Sequence, residues 1–392
     1  MVRPHDMMIP AETSWLIDPA ARDVCAAVEA AGHEIYFVGG CVRNALLGLP
    51  DSDVDMSTNA RPEKVMQIAQ AAGFKAIPTG IDHGTVTVVV RGAAFEITTF
   101  RRDVNTDGRR AVVAYSDTIM DDARRRDFTM NALYATAQGV VIDPLGGLPD
   151  LLARRVRFIE DPDARIKEDY LRILRFFRFS AWYAEQAEGF DADALAAIAG
   201  NVDGLNALSA ERVGQEMTKL LAAPDPAPAI AAMRQANVLH AILPGSDDRY
   251  LAVLVHLEGA LGLAPNWINR LAILGGEDAE SRFRLSKVDA RMLRATTDAA
   301  YAGPSLAEVA YREGRIIAEG TLLLRSALAE SEPDTSMLET ILTASQAICP
   351  VAAKDLMPQL QGAALGARLK ELEQRWIASG FALSKHDLLG AA

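Results

Sequence analysis

β-type patterning in this chain is confined to the first 150 residues. Between residues 34 and 144, short runs of branched and aromatic residues alternate with helix-like segments, and beyond Asp150 such runs nearly vanish. Any sheet must therefore be built near the N-terminus, and the rest must bury itself as helices packed on helices. EIYFVGG (34–40) reads as a strand ending in two glycines, CVRNALLG (41–48) as a short helix and DVDM (53–56) as a second strand. RPEKVMQIAQAAGF (61–74) has helix composition with Pro62 near its start, where proline is tolerated. HGTVTVVVRGAAFEITTF (83–100) reads as a hairpin and GVVIDP (139–144) as a last strand. Residues 14–31 and 122–137 are expected to be helices, and 101–117, charged and without a period, a loop. Further on, 167–184 and 209–223 read as strong helices, 223–228 as a proline-rich break, and the remainder as short helices between Pro/Gly turns. The expected class is α+β, a mixed α/β head followed by an all-helical remainder.

The 392 residues are half hydrophobic and 23% charged, which excludes a disordered or fibrous chain. The net charge of −12, taken alone, argues against a nucleic-acid binder. The average hides two unlike parts. Residues 1–180 carry 22 basic and 25 acidic side chains, a net of −3, and 19 of those 22 are Arg, the side chain suited to phosphate and base edges. The remainder carries a net of −9. Cys25, Cys41 and Cys349 lie far apart, with no disulfide or zinc spacing. With neither a signal peptide nor a membrane-length apolar run, the sequence reads as a soluble cytoplasmic protein.

Three constellations carry chemistry. In the first, Gly39-Gly40-Cys41-Val42-Arg43 precedes Asp53-Val54-Asp55. Alternate strand residues share a face, so Asp53 and Asp55 aim two carboxylates at one point. Such a pair calls for a cation, and Mg²⁺ takes oxygen ligands and shares its shell with substrate phosphates. The glycine turn lets backbone N–H groups approach a triphosphate, and Arg43 can pair with it. The second is Arg124-Arg125-Arg126-Asp127 ahead of an apolar segment, read as the start of a helix. Arginines there oppose the helix dipole, which suggests a bound anion. The third spaces Asp169, Arg172, Arg175 and Arg178 three apart, one polar stripe if the segment is a single helix. Its bland reading is an amphipathic helix with ion pairs; its functional reading is a set of donors and acceptors for a base edge.

In this order and spacing, YFVGGCVRNALLG…DSDVDMST, HGTVTVVV…FEITTFRRD…TDGRR, RRDFTMNALY…GVVIDPLGG, EDYLRILRFFRFSA and ERVGQEMTKLL resemble the class II tRNA nucleotidyltransferase/poly(A) polymerase family of the polymerase-β-like nucleotidyltransferases. The match is dense from about residue 33 to 222. The resemblance implies a polymerase-β-like nucleotidyltransferase head followed by an all-α neck, body and tail. The divisions are 1–32 (helical lead-in), 33–150 (catalytic head), 151–222 (neck, base recognition) and 223–392 (body and tail, tRNA binding). It implies that Asp53 and Asp55 hold catalytic Mg²⁺ and that Gly40 and Arg43 contact the triphosphate. Arg126 and Asp127 would contact ribose and phosphates, Asp169 and Arg172 would read the base, and Arg175 and Arg178 would support them. Residues 101–117 match a flexible loop tied to the change from C to A addition. Asn44 stands where the family usually has Asp, and Glu96 is a candidate third carboxylate. The implied reaction is addition of C, C and A to tRNA from CTP and ATP without a nucleic-acid template, with no membrane partner. A poly(A) polymerase, a partial CC- or A-adding enzyme and a non-catalytic RNA-binding protein remain open alternatives, as does the oligomeric state.

Overall fold

The computed structural model describes residues 7–50, 52–106, 111–185 and 189–390. The chain divides into two compact units, residues 1–209 with 235–241, and residues 210–234 with 242–392.

The first unit begins with α1 (Ser14–Ile17), α2 (Pro19–Ala30), β1 (Ile35–Val38), α3 (Gly40–Leu47), β2 (Asp55–Thr58) and α4 (Pro62–Ala71). It continues with β3 (Lys75–Gly80), β4 (Thr85–Val90), β5 (Ala93–Thr99), β6 (Arg101–Thr106), β7 (Ala111–Tyr115) and α5 (Ile119–Arg124). Then come β8 (Tyr134–Ala135), β9 (Val141–Ile142), α6 (Leu148–Leu152), α7 (Pro162–Glu168), α8 (Leu171–Tyr183) and α9 (Ala192–Gly200). One sheet runs in the order β3-β4-β5-β2-β1-β8-β9. Within it β2 pairs parallel with β5 and antiparallel with β1. Strict alternation buries Val86, Val88 and Val90 of β4. On that side Val24 and Val28 of α2 and Val65 and Ile68 of α4 close over Val88 and Ile97. The sheet thus keeps one face for helices, with β2 in its interior.

Four expectations need correction. Residues 14–31 form two helices, because Pro19 cannot continue a helix and holds Asp18 extended, where it caps α2 by accepting from the Ala20 N–H at 2.9 Å. Within 101–117, residues 107–110 lie outside the described residues, and the flanking residues form β6 and β7, which pair antiparallel with a register shift between Asp103 and Asn105. That irregularity breaks the period that would mark strands. Residues 122–137 are helical only to Arg124, followed by a single 3₁₀ turn (Thr129–Asn131) and β8. Asp127 ends the helix by accepting from the Phe128 N–H (2.8 Å) and Asn131 Nδ2 (2.9 Å), and Phe128 is extended. Arg124–Arg126 therefore sit at a helix C-terminus, where the dipole favours cations, and the anion argument lapses. Finally, 167–184 is not one helix. The backbone at Asp169 is extended (φ −155°, ψ 105°) between α7 and α8, so Asp169 does not lie on a helical stripe with Arg172, Arg175 and Arg178.

The chain continues with α10 (Ala210–Leu221), α11 (Ala227–Gln235), α12 (Val238–Ile242), α13 (Leu251–Ala260), α14 (Trp267–Leu274), α15 (Ala279–Arg282) and α16 (Lys287–Ala302). It ends with α17 (Leu306–Glu313), α18 (Arg315–Leu328), α19 (Ser336–Gln346), α20 (Gly362–Ala378) and α21 (Lys385–Gly390). Among the described residues no helix is long and apolar enough to cross a membrane.

The second unit is organised around a buried cation. Arg270 on α14 is 1% exposed and pairs with Glu258 of α13 at 2.7 Å. Its remaining donors collect the carbonyls of Leu221 (2.6 Å), Ala223 and Pro224 (3.1 Å), where α10 gives way to the proline-rich break. Those carbonyls have no helical partner, and Arg270 satisfies them. Arg270→Leu strands Glu258 and three carbonyls together. It is expected to destabilise the second unit by about 3–5 kcal/mol, read as a lowered urea midpoint.

Candidate active site

The register of β1 on β2 builds the site. Val38 lies opposite Asp55, so the Gly39-Gly40 turn leaves β1 beside the first residue of β2. Gly39 holds φ 72°, a conformation that favours glycine, and α3 starts at Gly40. A side chain at Gly40 would come within 2.9 Å of Ser52 Oγ, so the start of α3 packs directly against the segment leading into Asp53. Asp53 precedes β2 and Asp55 opens it, and both are exposed. On the other side of β2, the parallel pairing sets Glu96 of β5 against Asp55. Desolvation raises the Asp55 carboxyl above the ordinary range, as do the charges of Glu96 and Asp53, while Arg126 opposes them. Among the described residues no three His, Cys, Asp or Glu side chains form a ready-made metal cage. What the site offers is carboxylate oxygen crowded by like charge.

A polar network lies behind the turn. Arg43, 6% exposed, donates to Asn131 Oδ1 at 2.5 Å, and Asn131 donates to Asp127 at 2.9 Å. Asp127 in turn accepts from Arg175 at 2.5 and 2.7 Å. Burial pushes the Asp127 carboxyl up, but Arg175 and Asn131 outweigh it and hold it down at about 2. Arg126 donates to Asp122 (3.0 Å) and Tyr134 (3.1 Å) and approaches Ser57 of β2 (3.4 Å). Asp122 is fully buried and also accepts from Arg125 and Tyr134. The structure therefore brings Arg43, Arg126, Asp127 and Arg175 together behind Gly40, and places Asp53 and Asp55 in front of it.

Asp169 and Arg172 are differently disposed. Asp169, at the C-terminal end of α7, accepts from the Leu171 N–H at 3.1 Å. The Arg172 guanidinium is 11% exposed and turns inward, to the carboxylate of Glu168 and the carbonyls of Arg165 (2.7 Å) and Arg125 (3.1 Å). Arg178 lies over the Phe179 ring at 4.5 Å. Sequence reasoning passed over Asp122, Asn131, Glu168 and Tyr183, each of which holds one of the candidate arginines. Asp122 and Glu168 carried a signal, each lying four residues before the arginine it holds. Asn44 accepts from Arg43 Nε (3.1 Å) and Nη2 (3.0 Å), and its amide donates to the Pro50 carbonyl at 2.9 Å.

A glycine turn between strand and helix, set beside an Asp-x-Asp that leads into the neighbouring strand, is the arrangement of a nucleotidyltransferase head. Residues 35–157 match the family model described as the poly A polymerase head domain. Residues 190–249 match the one described as the probable RNA and SrmB-binding site of polymerase A. The human protein "CCA tRNA nucleotidyltransferase 1, mitochondrial" is 41% identical over 190 residues, 48% of this chain and 44% of that protein. A "CCA-adding enzyme" of Geobacillus thermodenitrificans is 41% identical over 220 residues, 56% of this chain and 52% of that protein. The aligned part thus spans about half the length of these curated relatives. The solved structure of the Bacillus stearothermophilus CCA-adding enzyme in complex with CTP superposes with a TM-score of 0.74 at 28% identity, covering 93% of this chain and 94% of that one. Over its head and the segment that follows, the chain is thus similar to the class II tRNA nucleotidyltransferase/poly(A) polymerase family.

Proposed function

We propose that the chain is a CCA tRNA nucleotidyltransferase, adding C, C and A in turn to the 3′ end of tRNA from CTP and ATP. The observation that carries this reading is the β1–β2 register, which sets the Gly39-Gly40 turn and the Asp53/Asp55 carboxylates side by side. In each step the terminal 3′ oxygen forms a bond to the α-phosphorus. The bond to the bridging oxygen breaks, pyrophosphate leaves, and the hydroxyl proton passes to solvent. Asp53 and Asp55, hard oxygen donors pressed by like charge, fit a divalent cation, and we assign Mg²⁺ to them. When bound, the ion neutralises charge on the reacting phosphate and polarises the attacking hydroxyl.

The chain's own groups hold the nucleotide. Backbone N–H groups at Gly40 approach the triphosphate, with the charge of Arg43 behind them. Arg126 and Asp127, with Arg175 and Arg178, position the ribose and phosphates. Asp169 and Arg172 select cytosine or adenine by hydrogen bonding; Glu168 competes with the base for the Arg172 donors. In this reading residues 33–150 form the catalytic head, 151–222 the neck and 223–392 the tRNA-binding part. Three unpaired cysteines, Cys25, Cys41 and Cys349, fit a reducing compartment, and we place the activity in the cytoplasm.

The test incubates the protein with tRNA ending before the CCA, after the first C, or after CC, with CTP and ATP separately and together, and sequences the products. Addition that stops at CCA is expected. Unlimited A addition identifies a poly(A) polymerase, arrest after CC or A addition to CC alone a partial enzyme, and RNA binding without addition a binding protein.

A further inference from the structure

Among the described residues, the hydrogen-bond partners of Arg43 are all neutral. Its Nε and Nη2 donate to Asn44, its Nη1 to Asn131, and its Nη2 also to the Tyr183 hydroxyl at 2.9 Å. Two rings pack on it as well: the Arg43 Cζ lies 4.1 Å from the Tyr183 ring centroid and 5.2 Å from that of Phe179. The carboxylate of the network, on Asp127, is one residue removed through Asn131 and pairs with Arg175. The described residues thus fix Arg43 in place by amide, hydroxyl and ring, with no carboxylate hydrogen-bonded to it. A buried guanidinium held by amide, hydroxyl and ring keeps its positive field for an anion.

Tyr183 has a second property. It is the last residue of α8, the helix that begins one residue before Arg172 and carries Arg175 and Arg178. Arg43 lies on α3, which opens with the glycine turn. The Tyr183–Arg43 contact therefore spans 140 residues of sequence and ties the end of the helix assigned to the base to the turn assigned to the phosphates.

We propose that Tyr183 is a positioning residue for the incoming nucleotide. Its hydroxyl and ring hold the Arg43 guanidinium at the triphosphate turn, and so fix the spacing between phosphate and base recognition. This rests on the proposed nucleotidyltransferase reading. Because Arg43 faces the part common to both nucleotides, Tyr183 governs affinity for CTP and ATP alike and leaves the choice between them untouched.

The experiment measures CTP and ATP affinity by calorimetry and steady-state kinetics on the full chain, for wild type, Tyr183→Phe, Arg43→Ala and the double variant. Tyr183→Phe keeps the ring and removes the acceptor. It is expected to weaken both affinities and raise both KM values by about tenfold or more, consistent with the loss of one hydrogen bond to a charged group, with kcat within about twofold. In the Arg43→Ala background the same change should have no further effect, which is the signature of two residues acting as a unit. Tyr183→Gln returns an oxygen acceptor without the ring and is expected to fall between wild type and Tyr183→Phe.

Unchanged affinities in Tyr183→Phe overturn the proposal. So does an equal loss with and without Arg43, or a loss confined to one nucleotide. If neither Tyr183 variant melts close to wild type, the residue is structural and the proposal is also overturned. A wild-type protein that binds CTP and ATP but transfers nothing sinks the proposed function alone, and the affinities still decide the role of Tyr183. A wild-type protein that binds neither sinks both.

Discussion

Asp53→Ala is expected to abolish C and A addition together, by about 1,000-fold or more, while the protein melts as wild type does. The two halves of this expectation have separate grounds. Asp53 and Asp55 are exposed and the Asp55 carboxyl is raised partly by its like-charged neighbours, so removing one carboxylate relieves repulsion and empties no core. Exposed substitutions of this kind shift stability by only about 0.5 kcal/mol. The catalytic loss follows from the proposed role of the pair as carboxylate donors beside the turn proposed to hold the phosphates. Asp55→Ala should behave alike, since the pairing of β2 with both neighbours holds its backbone in place whatever the side chain. The check is single-turnover addition of labelled CTP and ATP to tRNA, beside a thermal melt. Retained turnover in Asp53→Ala would remove the assigned metal role.

The second large effect concerns stability. Asp122 is fully buried between Arg125, Arg126 and Tyr134. Asp122→Ala leaves Arg126 against the sheet without its carboxylate, a loss of about 3–5 kcal/mol, measured by urea unfolding. Burial pushes the Asp122 carboxyl up, but Arg126 and Arg125 prevail and hold it well below the usual range. Asp127, depressed to about 2, acts in the same direction. A carboxylate with a lowered pKa in the folded chain binds fewer protons there than in the unfolded chain. Its contribution is therefore complete above the ordinary carboxylate pKa of about 3.9 and lost as pH falls below it. For Asp127 the loss runs from about pH 4 down to about 2. Asp122→Asn should flatten the acid limb of the stability–pH curve.

What the sequence disclosed was whatever depends on local spacing. The Gly39-Gly40 turn, the Asp-x-Asp, the β4–β5 hairpin and the loss of strands after Asp150 each follow from neighbours in the chain. What it hid depends on partners far away. Asn131 and Tyr183 look like ordinary turn and helix residues until folding sets them against Arg43, 88 and 140 positions off. The break at Asp169 was hidden for another reason: the apolar period continues across it, and a side chain accepting from the Leu171 N–H ends α7 without glycine or proline. Charge misled at Arg124–Arg126, because the apolar segment after them reads as a helix that they begin, whereas they close the short helix before them.

The β2 register has a consequence for how activity varies across a preparation. Asp55 faces outward and the next residue, Met56, is wholly buried. A slip of one position would carry a carboxylate into the apolar interior and a thioether into water, reversing every side chain of the strand. A chain mispaired in this way would lack an assembled site, while a correctly paired one would have it. Specific activity then counts the correctly paired fraction, and damage to the apolar interior far from the nucleotide lowers the number of working molecules while leaving the rate of each one unchanged.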